Sequence, residues 1–215
     1  MQAKGFRSTL CLLAALSFAG TAGAQNTSKF AFNVGGGFTE PVVHADGRAN
    51  TGFNITAGAG INFAPQFGIS AEFGYNRLNL SNSVLSAVGV PGGNAHIYSV
   101  TLEPTVHLNA HGRFGAYLIG GGGFYRRTID FTAPTVDTVT LFDPFFGVVY
   151  PAAIPATQVL ASFTQNKGGL NIGGGLEFRV KGDSNAKIYA EARYHYIFTT
   201  PVRTTILPVT FGFRW

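Results

Sequence analysis

Residues 51–63 read Thr51-Gly52-Phe53-Asn54-Ile55-Thr56-Ala57-Gly58-Ala59-Gly60-Ile61-Asn62-Phe63. Every odd position from Phe53 onward is apolar, and every even position between is Asn, Thr or Gly. Successive side chains of a strand leave opposite faces, so this spacing predicts a strand with one apolar and one polar face. The polar face is small and uncharged. A sheet face that met water would carry many lysines, so this one suits a narrow enclosed interior.

The same alternation recurs in segments of about ten residues separated by turn clusters. Eight are expected, near Lys29–Phe38, Thr51–Phe63, Phe67–Leu80, Ala95–Leu108, Arg113–Arg127, Lys167–Lys181, Lys187–Phe198 and Thr205–Trp215. Short connections (Ala64-Pro65-Gln66, Asn109–Gly112 and Gly182–Asn185) alternate with longer ones over Thr39–Asn50, Ser81–Asn94, Thr128–Asn166 and Thr199–Thr204. Short turns on one rim and long loops on the other are the pattern of outer-membrane barrels. Eight strands bring both ends of the chain to the short-turn rim. The expected fold is all-β: an eight-stranded antiparallel up-and-down transmembrane β-barrel.

Charge placement supports this reading. Only 12% of the 215 residues are charged, about half the usual share. Glu72, Glu103, Glu177, Arg179, Glu191, Arg193 and Arg214 all fall on the polar phase of their segments. An arginine facing lipid at mid-depth would cost about 2–4 kcal/mol. Arg77, Arg126 and Arg127 lie at the loop ends of their strands, within reach of water. With His107 and His195, the seven polar-phase charges are expected to meet in the lumen. Charges buried there must be paired.

Residues 1–24 read as a secretory signal: Lys4 and Arg7, an apolar core from Leu10 to Phe18, and Ala22-Gly23-Ala24 before Gln25. The expected division is signal peptide 1–24 and barrel 25–215. Cleavage removes Cys11, the single cysteine. Disulfides, thiolate metal sites and cysteine nucleophiles are then excluded. Removing Lys4 and Arg7 from 15 basic residues leaves 13 against 10 acidic, a net charge of about +3. That is too weak and scattered for nucleic acid.

Two segments resist a simple reading. In the fifth, Phe114, Ala116, Leu118 and Phe124 share one phase and Tyr117, Ile119 and Tyr125 the other, with Gly120–Gly123 between. Its lumen face is open, and the glycines suggest a kink or bulge. The third long connection is rich in apolar residues: Leu141, Phe142, Phe145, Phe146, Val148, Val149 and Tyr150 stand within it. It either folds over the barrel mouth, or extends the flanking strands as a hairpin turning near Asp143–Gly147 and forms a contact surface.

The five histidines have no metal spacing and no His-x-Ser pair. His44, His96 and His111 are expected in loops or turns, with His96 and Ser99 on opposite phases. The glycine runs lack a following Gly-Lys-Ser/Thr, so no nucleotide loop is read. No catalytic residue, cofactor or metal site is assigned.

The chain resembles the small outer-membrane β-barrel proteins of the OmpA/OmpX-like group. The eight segments, the Gly-rich stretch Tyr117–Tyr125, the run Glu191-Ala192-Arg193-Tyr194 and the end Phe211-Gly212-Phe213-Arg214-Trp215 carry the likeness. The resemblance implies the cell outer membrane, contact with its lipid, and handling by the barrel assembly machinery through Trp215. No periplasmic domain is expected after Trp215, and the barrel is expected to be monomeric. The favoured role is non-enzymatic: structural or adhesin-like contact with an extracellular surface or protein through the long loops. The alternatives are a small passive channel (porin) and, third, an enzyme acting on outer-membrane lipid.

Overall fold

The computed structural model describes residues 29–43, 45–109, 113–180 and 186–215. The expected signal peptide, His44, and the expected turns at Asn109–Gly112 and Gly182–Asn185 fall wholly or mostly outside the described residues. The elements are β1 (Phe30–Pro41), β2 (Ala49–Ala64), β3 (Phe67–Leu80), a short helix α1 (Asn82–Val88), β4 (Gly92–His107), β5 (Phe114–Asp143), β6 (Val148–Arg179), β7 (Lys187–Ile197) and β8 (Thr204–Arg214).

Each strand pairs antiparallel with the next, and β8 returns to β1 to close the barrel. The seam runs from Asn33 opposite Arg214 to Pro41 opposite Ile206. Beyond it, Phe32 and Trp215 exchange backbone hydrogen bonds of 2.8 and 3.0 Å, and their rings stack at 6.1 Å. Closure leaves the wall with no open edge. That is what a bilayer demands, because lipid offers no partner to a bare N–H or C=O.

The alternation sorts the two faces. Phe53, Ile55, Phe73, Val100, Leu102, Leu118, Ile172 and Phe211 are exposed on the outside, while Asn54, Thr56, Glu72, Thr101, Glu103 and Thr210 are buried inside. In water such an outer wall would be unstable. In lipid it is the solvated surface.

The structure corrects several boundaries. The connection at Ser81–Asn94 contains α1, ended by Gly89 at φ 72°, and its Val84 and Leu85 pack against a buried apolar cluster that includes Leu78, Leu80 and Ile97. At seven residues it is too short to show a helical period. The Ser81 hydroxyl donates to the Gly47 carbonyl at 2.7 Å, tying this loop to the first. β1 and β2 reach into the first long connection, as far as Pro41 and Ala49. His96 lies within β4, not in a loop.

At the third connection the structure takes the hairpin form of the two expected. Thr128–Asn166 is strand throughout, save for the tip. β5 and β6 stay paired from Phe114 opposite Phe178 to Asp143 opposite Val148. β4 accompanies β5 only as far as Thr132, and β7 accompanies β6 only from Gly169. Past those points a two-stranded ribbon stands clear of the barrel, about 35 Å long at roughly 3.3 Å per residue. It does not fold over the mouth.

Nor do Gly120–Gly123 make a bulge. The register with β6 is continuous across them, and the register with β4 is the same on either side of Gly120 and Gly121. Tyr117, Ile119 and Tyr125 face the lumen, and Phe114, Leu118 and Phe124 face lipid. The glycines permit close approach: a Cβ on Gly121 would run into the Leu102 carbonyl oxygen.

Candidate functional site

Six strands deliver the lumen cluster. Arg193 enters from β7 and reaches Glu72 on β3, with Nη1 to Oε1 and Nη2 to Oε2 both at 2.8 Å. Its Nη1 also donates to Glu103 on β4 and its Nε to Glu191 on its own strand. Each carboxylate has a neutral donor as well. Asn33 Nδ2 donates to Glu72 at 2.9 Å, Thr101 and Asn171 donate to Glu103 at 2.6 and 2.9 Å, and the Tyr117 hydroxyl donates to Glu191 at 2.8 Å. Arg193 is 4% exposed and Glu103 is fully buried. One cation thus joins three buried carboxylates, and the low-dielectric interior makes that geometry strongly cohesive.

A second centre lies nearer the short-turn rim. Glu177 sits 3.4 Å from His107 Nδ1 and 2.5 Å from Lys187 Nζ. Arg214 bridges the two centres, 3.7 Å from Glu177 and 3.8 Å from Glu191, and lies over the rings of Tyr117 and Tyr189 at 4.6 and 5.0 Å. Eight of the nine residues expected in the lumen network join it or border it. His195 is buried but bonds the Tyr125 hydroxyl at 3.0 Å rather than a carboxylate. Arg179 stays outside: among the described residues it forms no ion pair, and its Nε is buried without a hydrogen-bond partner.

Sequence reasoning missed the tyrosines. Tyr117, Tyr125 and Tyr189 are each 1% exposed. Each ring lies against glycine. A Cβ on Gly175 would lie 2.5 Å from the Tyr117 ring and hydroxyl, one on Gly169 2.8 Å from Tyr125, and one on Gly212 2.8 Å from Tyr189. Tyr117 is registered opposite Gly175, and Tyr189 opposite Gly212. Lumen glycine is therefore not empty space: neighbouring rings fill it. Two cavities in this region, one beside Glu72 and Arg193 and one beside Asn33 and Arg214, measure about 10 and 30 Å³. Neither has room for more than a few waters.

On the long-loop side the lumen changes character. Leu78, Leu80, Ala95, Ile97, Ile197 and Ile206 occupy inward positions and form one buried apolar cluster with Tyr125.

Outside the lumen, His96 Nδ1 bonds the Tyr75 hydroxyl at 2.8 Å, and its Nε2 lies 3.6 Å from Asp130. Among the described residues no serine hydroxyl bonds a histidine.

The ribbon tip is a built turn. Asp143 Oδ1 accepts from the N–H groups of Phe145 and Phe146 at 2.8 and 3.2 Å, and Gly147 takes φ 64°. Phe145 and Phe146 are 86% and 72% exposed, with Leu141, Phe142, Val148, Val149 and Tyr150 exposed behind them.

The family model described as "Outer membrane protein beta-barrel domain" matches residues 11–214. Among solved structures, Neisserial surface protein A aligns at 15% identity with a TM-score of 0.55, over 88% of this chain and 98% of its own. The attachment invasion locus protein Ail of Yersinia pestis aligns at 19% identity and TM-score 0.44, over 86% and 97%. OprG of Pseudomonas aeruginosa aligns at 12% and 0.45, over 86% and 95%. At 15% identity the likeness to Neisserial surface protein A is one of fold. No curated protein matches the chain in sequence.

Proposed function

Because the chain belongs to the outer membrane protein beta-barrel domain family, and so spans the outer membrane, we propose that it is a non-enzymatic surface-contact protein. In this reading a plugged barrel anchors the β5–β6 ribbon outside the cell. The ribbon carries the reading. Between Thr132 and Val159 its charged residues are Asp137 and Asp143 alone, while Val136, Phe142, Phe145, Phe146, Val149, Ile154 and Val159 are exposed. An apolar surface of this extent in water marks a contact site. A bare two-stranded ribbon is marginal by itself, so covering its side chains with a partner stabilises both.

Prolines narrow the manner of contact. Pro134, Pro151 and Pro155 lie in the ribbon strands beyond the reach of β4 and β7. Proline lacks an N–H and blunts an edge against strand addition. The ribbon therefore meets its partner with its side-chain faces and its aromatic tip.

Replacing residues 133–158 by Asn-Gly closes β5 and β6 with a two-residue hairpin. The expected result is a folded barrel whose cells no longer attach to immobilised protein or to phosphatidylcholine vesicles. Attachment equal to that of the parent would sink the proposal.

A further inference from the structure

Above the charged lumen lies a cavity of about 290 Å³ on the long-loop side. Leu78, Ile97, Ile129 and Ile206 line its walls, Val84 of α1 closes one side, and residues 200–204 close another. Tyr125 and Ile197 belong to the same apolar cluster one level deeper. On β3 and β4 the inward positions further down are polar: Asn76 and Glu72 below Leu78, and Ser99, Thr101 and Glu103 below Ile97. The change to apolar side chains is thus local to the cavity.

The charged residues of this lining are Arg48, Arg127 and Arg203, with no carboxylate among them. Arg127 is on the inward phase of β5. Its Nη1 donates to the Thr204 hydroxyl at 2.6 Å, while its Nε is buried with no hydrogen-bond partner. Among the described residues none of the three arginines forms an ion pair, although Arg193 below is surrounded by carboxylates. A buried N–H of a guanidinium without an acceptor is an unfavourable arrangement. It is relieved by an anion with an oxygen in the plane of the fork.

We propose that this cavity binds a small amphipathic carboxylate from outside the cell. The tail lies among Leu78, Ile97 and Ile206, and the carboxylate accepts from Arg127, with Arg48 and Arg203 at the mouth. The volume admits about ten non-hydrogen atoms at roughly 30 Å³ each, the liquid-volume share of a water. That is the size of octanoate. A purely apolar ligand would leave the buried Nε of Arg127 without an acceptor. A short carboxylate would leave the apolar wall uncovered. The site is independent of the ribbon, so removing residues 133–158 leaves it intact.

The test is calorimetric titration of octanoate into the barrel in lipid nanodiscs, with empty nanodiscs subtracted and octanol and acetate titrated alongside. Saturable octanoate binding, at least about tenfold tighter than octanol or acetate, is expected. Arg127→Gln weakens it by about tenfold, and Ala95→Phe, which fills the cavity, abolishes it. Arg48→Gln serves as a second charge variant if Arg127→Gln does not fold, as judged by a gel shift on boiling. A signal equal to that of empty discs would overturn the proposal. So would octanol binding as well as octanoate, octanoate binding indifferent to the arginines, or binding that survives Ala95→Phe.

Discussion

Arg193 and Glu72 face each other across the full width of the lumen and meet fork to fork, with two parallel hydrogen bonds of 2.8 Å. β3 and β7 are opposite strands of the ring. The pair is therefore a crossbar rather than a rung between neighbours, and it holds the cross-section of the barrel from within. Arg193→Ala leaves Glu72, Glu103 and Glu191 buried together without their shared cation. A loss of about 3–5 kcal/mol is expected, read as a lower urea midpoint for unfolding in vesicles. Arg193→Lys restores the charge but not the fork and recovers only part of the loss. An unchanged midpoint for Arg193→Ala would contradict the crossbar.

A plugged lumen does not conduct. The purified barrel in a planar bilayer is expected to be silent, because tyrosine rings and ion pairs occupy the space between the strands. Steady, reproducible current steps would instead favour the small-channel reading.

Glycine on the two faces of β5 has different work to do. A Cβ on Gly121 would meet the Leu102 carbonyl, whereas on Gly120 the nearest atom is the Asn171 carbonyl oxygen at 3.3 Å. Gly121→Ala should destabilise the barrel by about 1–3 kcal/mol through forced separation of β4 and β5. Gly120→Ala should change stability little. Equal midpoints for the two variants would refute the distinction.

Leu102 stands outward in the middle of β4 and is 60% exposed. In a water-soluble barrel Leu102→Arg would be harmless. In lipid it costs about 2–4 kcal/mol. Folding titrations in vesicles, compared with Val136→Arg on the ribbon, check this: only the first substitution should matter.

The ribbon's prolines should keep it from pairing with copies of itself. Replacing Pro134, Pro151 and Pro155 together by Val restores three N–H groups on open edges. Cross-linked dimers or larger species are expected on gels after mild cross-linking. A purely monomeric product would show that the prolines serve another purpose.

Period two alone made the barrel legible, because one face meets lipid and the other a crowded lumen. The inward phase of Glu72, Glu103, Glu191 and Arg193 could be read the same way. Their partners could not, since pairing across the ring depends on register and strand tilt. Tyr117 and Tyr125 escaped because four glycines blur the phase of β5. Their signal is a tyrosine facing glycine on the adjacent strand, visible only once the register is known. Leu78, Leu80 and Ile97 sit on the polar phase and break the alternation, which hid the apolar cavity. The ribbon was legible only as one of two alternatives, because its prolines demote a strand reading.

The pairing of Phe32 with Trp215 has a kinetic consequence. Seven of the eight strand pairs join chain neighbours and can form as hairpins. The eighth joins segments at opposite ends of the described chain. Until it forms, the sheet carries two raw margins and an incomplete lumen, with Arg193 and its carboxylates not yet shielded. The closing of the barrel is therefore the pairing that costs the most chain entropy, since it brings together the two most distant segments.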